Sequence, residues 1–596
     1  MEADPAVYPP IADHGMIGDC HTAALIRSDG TIDWCCLPRF DSASVFGCLL
    51  DAAKGGGWSL EATGDRRTVR RRYLDDSLVL ETAVETSDGA ARIIDFFPMR
   101  VGGRRRPRRM LMRIVEGIRG SVRFRTRLAP RFDYGNTLPW IREHTRGVHS
   151  AVGSSNGLVI WADIELQHED DHALAGGFTV DAGERRHLAA RFQRPEEIVE
   201  PRGPSGAELD GFLEETLDWW RAWSSKGGLE GPDGPGAMRS AIVLKALTHA
   251  PTGAMVAAPT TSLPEAPGGE RNWDYRYSWI RDSSFAVRVL DELGLGAEAE
   301  GFRRFVERSA AGSVHQLQVL YGVGGERWLP ELTIDHLSGY RGARPVRVGN
   351  RAARQLQLDI FGELVDVAWE WHLRGHSPTA DYWRFLRGIV DEVAKGWSKP
   401  DRGIWEVRGR PQHFVHSKMM CWVALDRAVR LAQETDLDDG ALVERWTAVR
   451  DEIRARIETD GYDERRGVFR RAFGSDELDA ALLLLPEYRF VAYDDPRMIR
   501  TVDALREELE RDGLTHRYRA EDGLPGDEGV FLACTFWLAE CLARQGRLDE
   551  ARTAFDRACS TANDVGLFGE EFDPARGETL GNFPQGLTHL AHIGAA

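Results

Sequence analysis

At about residue 206 the hydrophobic period of this chain changes, and that break constrains the fold more than any other feature. Before it, apolar residues come in short runs separated by turn residues. Beyond it they recur at the 3.6-residue spacing of helices. With 596 residues, the chain is also too long for one ordinary core, so the break reads as a domain boundary.

Residues 1–205 read as an antiparallel β-sandwich. LIRSDGTIDW places Ser28-Asp29-Gly30 between two apolar runs, and SLVLETAVETSDGAARIIDFF repeats the device with Ser87-Asp88-Gly89. Both are hairpin signals. Further strands are expected at RMLMRIVEGI, SVRFRTRLA and GLVIWADIEL. Many short strands punctuated by turns fit a sandwich. The arginine runs Arg66 to Arg72 and Arg104 to Arg109 read as solvated edges or loops. HEDDH at 168–172 formally matches a zinc-protease motif. That motif needs a helix, and here it follows a strand-like run, so an exposed acidic turn is expected. Cys20, Cys35, Cys36 and Cys48 lack a CxxC pair and read as buried thiols rather than a zinc site.

ELDGFLEETLDWWRAWSS reads as a helix within a linker over 206–235. Residues 236–596 then carry about twelve helical segments. Their expected spans are 236–250, 278–293, 296–310, 352–373, 378–396, 415–434, 438–458, 475–485, 496–511, 528–545, 547–562 and 583–593. Ser377-Pro378 reads as an N-cap followed by proline at N1, and Gly375 as the residue ending the preceding helix. Ser475 opens a helix that Pro486 closes. Phe361, Leu364, Val365, Ala368 and Trp371 form one apolar stripe. Twelve helices can pair as six hairpins closed into a ring, although periodicity does not fix the closure. The linkers 251–277, 397–414 and 563–582 are longer than helix connections need, which marks them as functional.

Charge narrows the partners. A formal net charge of −17 argues against a nucleic-acid surface. No apolar run approaches a membrane span, and MEADPAVYPPIADHG shows no secretory pattern, so a cytoplasmic location is expected. No phosphate loop is visible and no cofactor is expected. A homo-oligomer is left open.

The long linkers carry the chemistry. GGERNWDYRYSWIRDSSF holds Trp273, Tyr275, Tyr277 and Trp279, then Arg281-Asp282. Aromatic faces stack on sugar rings, and an Arg–Asp pair can hold vicinal hydroxyls; a structural ion pair at a helix start is the competing reading. DRGIWEVRGRPQHFVH holds one carboxylate, Glu406, beside Trp405. It is either a solvated loop acid or an acid kept protonated by apolar packing against that indole. GLFGEEFDPARGETLGNFPQG holds Glu570 and Glu571, then Asp573. Adjacent carboxylates in a loop fit a base that orients water, or a solvated acidic loop. THRYRAEDGLPGDEGVF (515–531) adds Arg517 as a further candidate substrate contact.

These segments, with IADHGMIGDCHTAALIRSDGTIDWCCLPRFDS, LSGYRGARPVRVGN and the stretch running on to SKMMCWVALDRA, resemble glycoside hydrolase family 15, the inverting glucoamylase and trehalase family, and within it the bacterial trehalase-like branch. The likeness runs from residue 11 nearly to the end. It implies a β-sandwich followed by an (α/α)6 barrel. It implies Glu406 as general acid and Glu570 as general base, with Glu571 as runner-up. It places Arg281 and Asp282 on the nonreducing glucose, with Tyr275, Trp279 and Trp405 lining that subsite; Arg517 matches less closely. One departure is Val407, where fungal members carry a second glutamate. Inverting hydrolysis needs two carboxylates roughly 6.5–9.5 Å apart to admit a water, which separate loops can supply.

The resemblance favours hydrolysis of α,α-trehalose to two glucoses, with α-glucoside and water as the only partners required. A glucoamylase-type enzyme cutting α-1,4 or α-1,6 gluco-oligosaccharides is the alternative, and a non-catalytic sugar-binding protein the remote one; phosphorylase or glycosyltransferase chemistry would need a site for phosphate or an acceptor. The LPRFDS loop, 37–42, is expected to reach the barrel mouth and narrow it.

Overall fold

The structure is a computed structural model in which residues 8–309, 314–435, 440–524, 526 and 528–596 are described, apart from the side chains of Arg66, Arg67 and Ala299. Parts of four readings lie outside these residues: the extreme N-terminus, the end of 296–310, the start of 438–458, and positions 525 and 527 of the 515–531 segment.

Between His14 and Phe192 the described residues form fifteen hydrogen-bonded strands. The two expected hairpins are present, pairing Ala23–Arg27 with Ile32–Cys36 and Leu80–Thr86 with Gly89–Phe96. Gly30 turns the first at φ +91°, where a Cβ would stand 2.3 Å from the Leu60 carbonyl oxygen, so no other residue fits. RMLMRIVEGI and SVRFRTRLA are not separate strands. They run on as one, Met110–Ala129. Its first half pairs with Gly89–Phe96 and Arg185–Phe192, its second with Gly57–Ala62 and Ala173–Asp181. Gly117 and Gly120 lie at the crossover, with Gly120 at φ +62°, and let the strand bend from one sheet into the other without losing its ladder.

The arginine runs are not uniformly solvated. Arg71 is only 3% exposed in its side chain, with Nε donating to Asp564 in the helical half at 2.9 Å. Arg108 stacks on Phe212 at 4.0 Å. The HEDDH segment is an exposed edge strand, Gln167–Asp170, followed by a turn; strand geometry sends successive side chains to opposite faces, unlike the helix the motif requires.

Helix α1, Gly206–Ser224, starts in a capping box between Ser205 and Glu208. The helices that follow are α2 Gly234–Leu247, α3 Ile280–Glu292, α4 Ala297–Ser309, α5 Asp359–Leu373, α6 Ala380–Gly396, α7 Val415–Glu434, α8 Gly440–Asp460, α9 Pro496–Leu509, α10 Leu532–Arg544, α11 Leu548–Cys559 and α12 Gly586–Ala595. Their boundaries correct several expectations. Thr379, not Ser377, caps α6, its side chain accepting from Tyr382 N. Residues 528–531 are not helical because Val530–Phe531 pairs with the strand Glu571–Asp573. The 475–485 segment holds only a 3₁₀ turn, Ala480–Leu484. Asp479 is held extended by a bridge to Tyr518, so helical geometry cannot begin before it, and Pro486 closes what remains.

Packing runs in a circuit: α3 on α5, α5 on α7, α7 on the 3₁₀ turn, that turn on α10, α10 on α12, and α12 back on α3. The remaining helices lean on these from outside, α4 on α3, α6 on α5, α8 on α7, α9 on the 3₁₀ turn, α11 on α10 and α2 on α12. This explains why α5 is buried on all sides from Asp359 to Trp369 rather than along one stripe, with Trp371 half-buried. No described helix is long and apolar enough to cross a membrane.

The two halves are tied by polar contacts, including Trp34 Nε1 to the Pro259 carbonyl at 2.8 Å and Asn563 Nδ2 to the His14 carbonyl at 2.8 Å. The LPRFDS loop joins this interface instead of the cavity described below. Arg39 pairs with Glu326 at 2.9 Å, and the Ser42 carbonyl accepts from fully buried Arg276 at 2.8 Å. No residue of 37–42 is in the cavity wall.

Candidate active site

The N-terminal ends of α3, α10 and α12 converge on a cavity of about 760 Å³, counted to its open mouth. Most of the site candidates line it, namely Tyr275, Trp279, Arg281, Asp282, Trp405, Glu406, Arg517 and Glu570; Glu571 does not. Tyr277 does not; it is buried elsewhere in the core.

Trp279 is the N-cap of α3, and Arg281 and Asp282 occupy its first turn. Arg281 Nη1 donates to the Ile404 carbonyl at 2.8 Å, and its Nε to Asp282 Oδ1 at 3.2 Å. Arg281 thereby ties α3 to the loop that carries Glu406. Glu406 sits in a turn at φ +58°, a conformation that costs a non-glycine residue of order 1 kcal/mol and concentrates at functional sites. Its Oε1 accepts from Trp279 Nε1 at 2.7 Å and lies 3.9 Å from Arg281 Nη2. Trp405 is not the indole that meets this carboxylate. Its Nε1 donates to Asp479 at 2.8 Å, and its ring packs among Tyr518, Phe531 and Trp537. The expected apolar cushion for Glu406 is replaced by a hydrogen bond from a neighbouring helix cap.

Glu570 is 1% exposed and accepts from Asn582 N at 3.2 Å. It lies over Gly581, where a Cβ would stand 2.3 Å from Oε2 at φ +74°. Burial, then the nearby Glu265 carboxylate, push Glu570 well above the usual carboxylate range, against the opposing pull of Tyr275, Arg517 and the Asn582 N–H. Tyr275 and Trp279 meet edge to face at 5.4 Å, so Glu406 contacts one ring of an aromatic pair and Glu570 the other. The two carboxylates thus face the same space from separate sides of one wall.

Glu571 begins the strand Glu571–Asp573 and points away from the cavity wall. Neither of its oxygens has a hydrogen-bond partner among the described residues, and burial drives it well above the usual range. It lies with Glu265 and Glu528 in a group whose carboxylate oxygens fall within 4.8 Å of one another. Arg517 is the cation that holds them: Nε to Glu528 at 2.8 Å, Nη2 to Glu265 at 3.2 Å, and Nη2 3.8 Å from Glu571. These oxygens are engaged by the chain's own guanidinium.

Sequence reasoning passed over several wall residues. Glu265, Arg271, Asn350, Arg408, Asp522 and Gln585 line the cavity, and Trp273 was noted only as one of an aromatic run. Glu265 follows the strand Thr261–Pro264, which pairs with Asn272–Asp274, so a small hairpin carries Glu265 and Trp273 together. Burial pushes Glu265 up to about 7 against Arg517. Its only sequence signal was a carboxylate between prolines in a long linker.

Comparison with known proteins identifies the family. The profile described as Glycosyl hydrolases family 15 matches residues 232–596, and that described as Trehalase-like, N-terminal matches residues 5–181. Among curated proteins, a trehalase of Mycolicibacterium smegmatis is 41% identical over 99% of this chain and 91% of its own length. A trehalase of Thermoplasma volcanium is 36% identical over 99% of this chain and 93% of its own. Among solved structures, a bacterial glucoamylase complexed with acarbose superposes with a TM-score of 0.71 at 12% identity, covering 100% of this chain and 94% of that one; the likeness is one of fold.

Proposed function

This chain belongs to glycosyl hydrolases family 15 and is a glycoside hydrolase, and on that premise we propose that it hydrolyses α,α-trehalose to two glucoses with inversion. The circuit of inner and outer helices reads as an (α/α)6 barrel capped by an N-terminal β-sandwich. In this reading Glu406 is the general acid. It gives its proton to the glycosidic oxygen as the C1–O bond breaks. Glu570 is the general base. It takes a proton from the water whose oxygen bonds to C1 on the opposite face. Arg281 and Asp282 hold hydroxyls of the nonreducing glucose, against the Tyr275–Trp279 wall. Arg517 contributes by holding Glu265 and Glu528 rather than by reaching the sugar directly. One observation supports the reading above the others: Glu406 and Glu570, from linkers far apart in sequence, line one cavity on either ring of a single aromatic pair.

The substrate carries a stereochemical marker. Inversion at the attacked glucose yields β-glucose, while the departing glucose keeps its α configuration. An NMR time course should therefore show α- and β-glucose appearing in equal amounts from trehalose, with Glu406→Gln inactive. Release of α-glucose alone would refute inversion. Turnover of maltose or isomaltose without trehalose would refute the substrate.

A further inference from the structure

The reading above leaves the second glucose without a holder, and the cavity wall supplies one. Wall residues differ in depth. Trp279, Arg281 and Asp282 are buried at the start of α3, whereas Trp273, Arg408 and Leu524 are half-buried. The general acid protonates the oxygen shared by the two sugars, so it stands at the border between their subsites. Arg408 lies two residues beyond Glu406 on the same turn, and Val407 between them is apolar. Arg408 is therefore the first polar side chain of that loop beyond the acid, on the shallower side of the cavity.

Its guanidinium lies 4.3 Å from the ring centroid of Trp273, and the guanidinium of Arg347 also lies 4.3 Å from it. Both guanidiniums therefore pack on the one indole as cation–π partners. Glu331 bridges the outer ends, 3.1 Å from Arg408 Nη2 and 3.8 Å from Arg347 Nε. Arg347 is anchored further by the Glu270 and Asn272 carbonyls at 2.7 and 2.9 Å. With Nη2 on Glu331, Arg408 keeps Nε and Nη1 without partners among the described residues, and the Trp273 indole N–H has none either. Trp273 is already engaged by two guanidiniums, so it gives a run of glucose units a poor stacking platform. What this wall offers is N–H donors, which suit the dense hydroxyls of one hexose.

We propose that Arg408, packed with Arg347 on Trp273 and tied to Glu331, is the specificity-determining residue that holds a single hexose as leaving group. The proposal rests on the hydrolase reading above and assigns its second subsite.

The test compares trehalose, maltose and isomaltose with α-glucosyl fluoride, whose leaving group has no sugar. In Arg408→Ala, kcat/KM on the disaccharide that the wild-type protein cleaves should fall about 10- to 100-fold, the effect of lost hydrogen bonds to a charged donor. Activity on α-glucosyl fluoride should change less than about 3-fold. Glu331→Gln, which keeps the arginine and loosens its anchor, should give a smaller fall in the same ratio. Equal losses on both kinds of substrate would mean that Arg408 only shapes the Glu406 loop and would overturn the proposal, as would an unchanged ratio. A wild-type protein that cleaves maltose but not trehalose would sink the trehalose reading alone, because the Arg408 ratio is then read on maltose. Cleavage of the fluoride with no disaccharide turned over would overturn both.

Discussion

Replacing Glu265 by glutamine should move the acidic limb of the pH profile toward lower pH. Glu570 must be ionised to act as base, and burial together with the Glu265 carboxylate holds it above the usual range. Its titration therefore sets the pH below which kcat/KM falls. The groups facing it are Glu265, Glu571, Tyr275 and Arg517. The Tyr275 hydroxyl lies 3.5 Å from Glu265 Oε1 and interacts with Glu570 as well, so one phenol links the two carboxylates. For two carboxylates roughly 7 Å apart at an effective dielectric constant of about 20, one negative charge disfavours ionising the other by ~2.4 kcal/mol, which sets the scale of the effect. Glu265 itself titrates near neutrality, so the pair loses its protons in two linked steps and the observed displacement will be smaller, about one unit. The sign is fixed: removing a neighbouring negative charge makes Glu570 easier to ionise, and freeing Arg517 from Glu265 acts in the same direction. The assay is kcat/KM for trehalose from pH 4 to 9, with thermal unfolding as a check on the fold. A limb that stays in place, or moves to higher pH, would refute the electrostatic link between these residues.

Three further outcomes follow from the same geometry. Glu570→Gln should lower kcat by about 10²- to 10⁴-fold, the usual worth of a general base, while Glu571→Gln should stay within about 10-fold of wild type; a steady-state comparison of the two variants checks which glutamate is the base. Gly581→Ala should cut kcat at least about 10-fold, because its Cβ would stand 2.3 Å from Glu570 Oε2 at φ +74° and strain the backbone as well; an alanine variant with wild-type kcat would contradict that packing. Glu363 accepts from Tyr488 at 2.7 Å inside the helical half, and burial pushes it up to about 8. Its folded value is raised, so its contribution to stability is intact below pH ~4.5 and is lost as pH rises toward 8, about 3 kcal/mol by pH 7. Glu363→Gln should remove that slope, and melting temperatures across pH 5 to 8.5 measure it.

Helix existence was legible because each inner or outer helix carries a sustained 3.6-residue pattern. Helix ends were less so, because tertiary bonds decide them. The strand pairing of Val530–Phe531 with Glu571–Asp573 trims α10, and the Asp479–Tyr518 bridge reduces an expected helix to one 3₁₀ turn. The motif-bearing linkers pointed to residues whose types are unusual where they stand, such as Glu406 between apolar neighbours. They did not point to Glu265 or Arg408, which are ordinary charged residues in sequence. Only the hairpin Thr261–Pro264 with Asn272–Asp274 brings Glu265 to Tyr275, and only the approach of Arg347 and Arg408 reveals that Trp273 packs against two cations.

The adjacent glutamates show how local geometry separates two residues that sequence treats alike. Glu570 immediately precedes the strand Glu571–Asp573, and successive side chains along an extended segment point to opposite sides. One carboxylate must then enter the cavity while the next enters the layer behind it. The Glu570 side reaches Gly581 and Asn582, whose lack of a side chain and free N–H make room for a carboxylate and give it a donor. The Glu571 side reaches Arg517, Glu265 and Glu528, where one guanidinium already serves several acids. Of the two, only Glu570 lines the cavity. The second acts through charge, by sharing the cation that would otherwise lower Glu570. A base flanked in this way holds its proton more tightly than an ordinary glutamate, and that greater basicity is what abstraction of a proton from water requires.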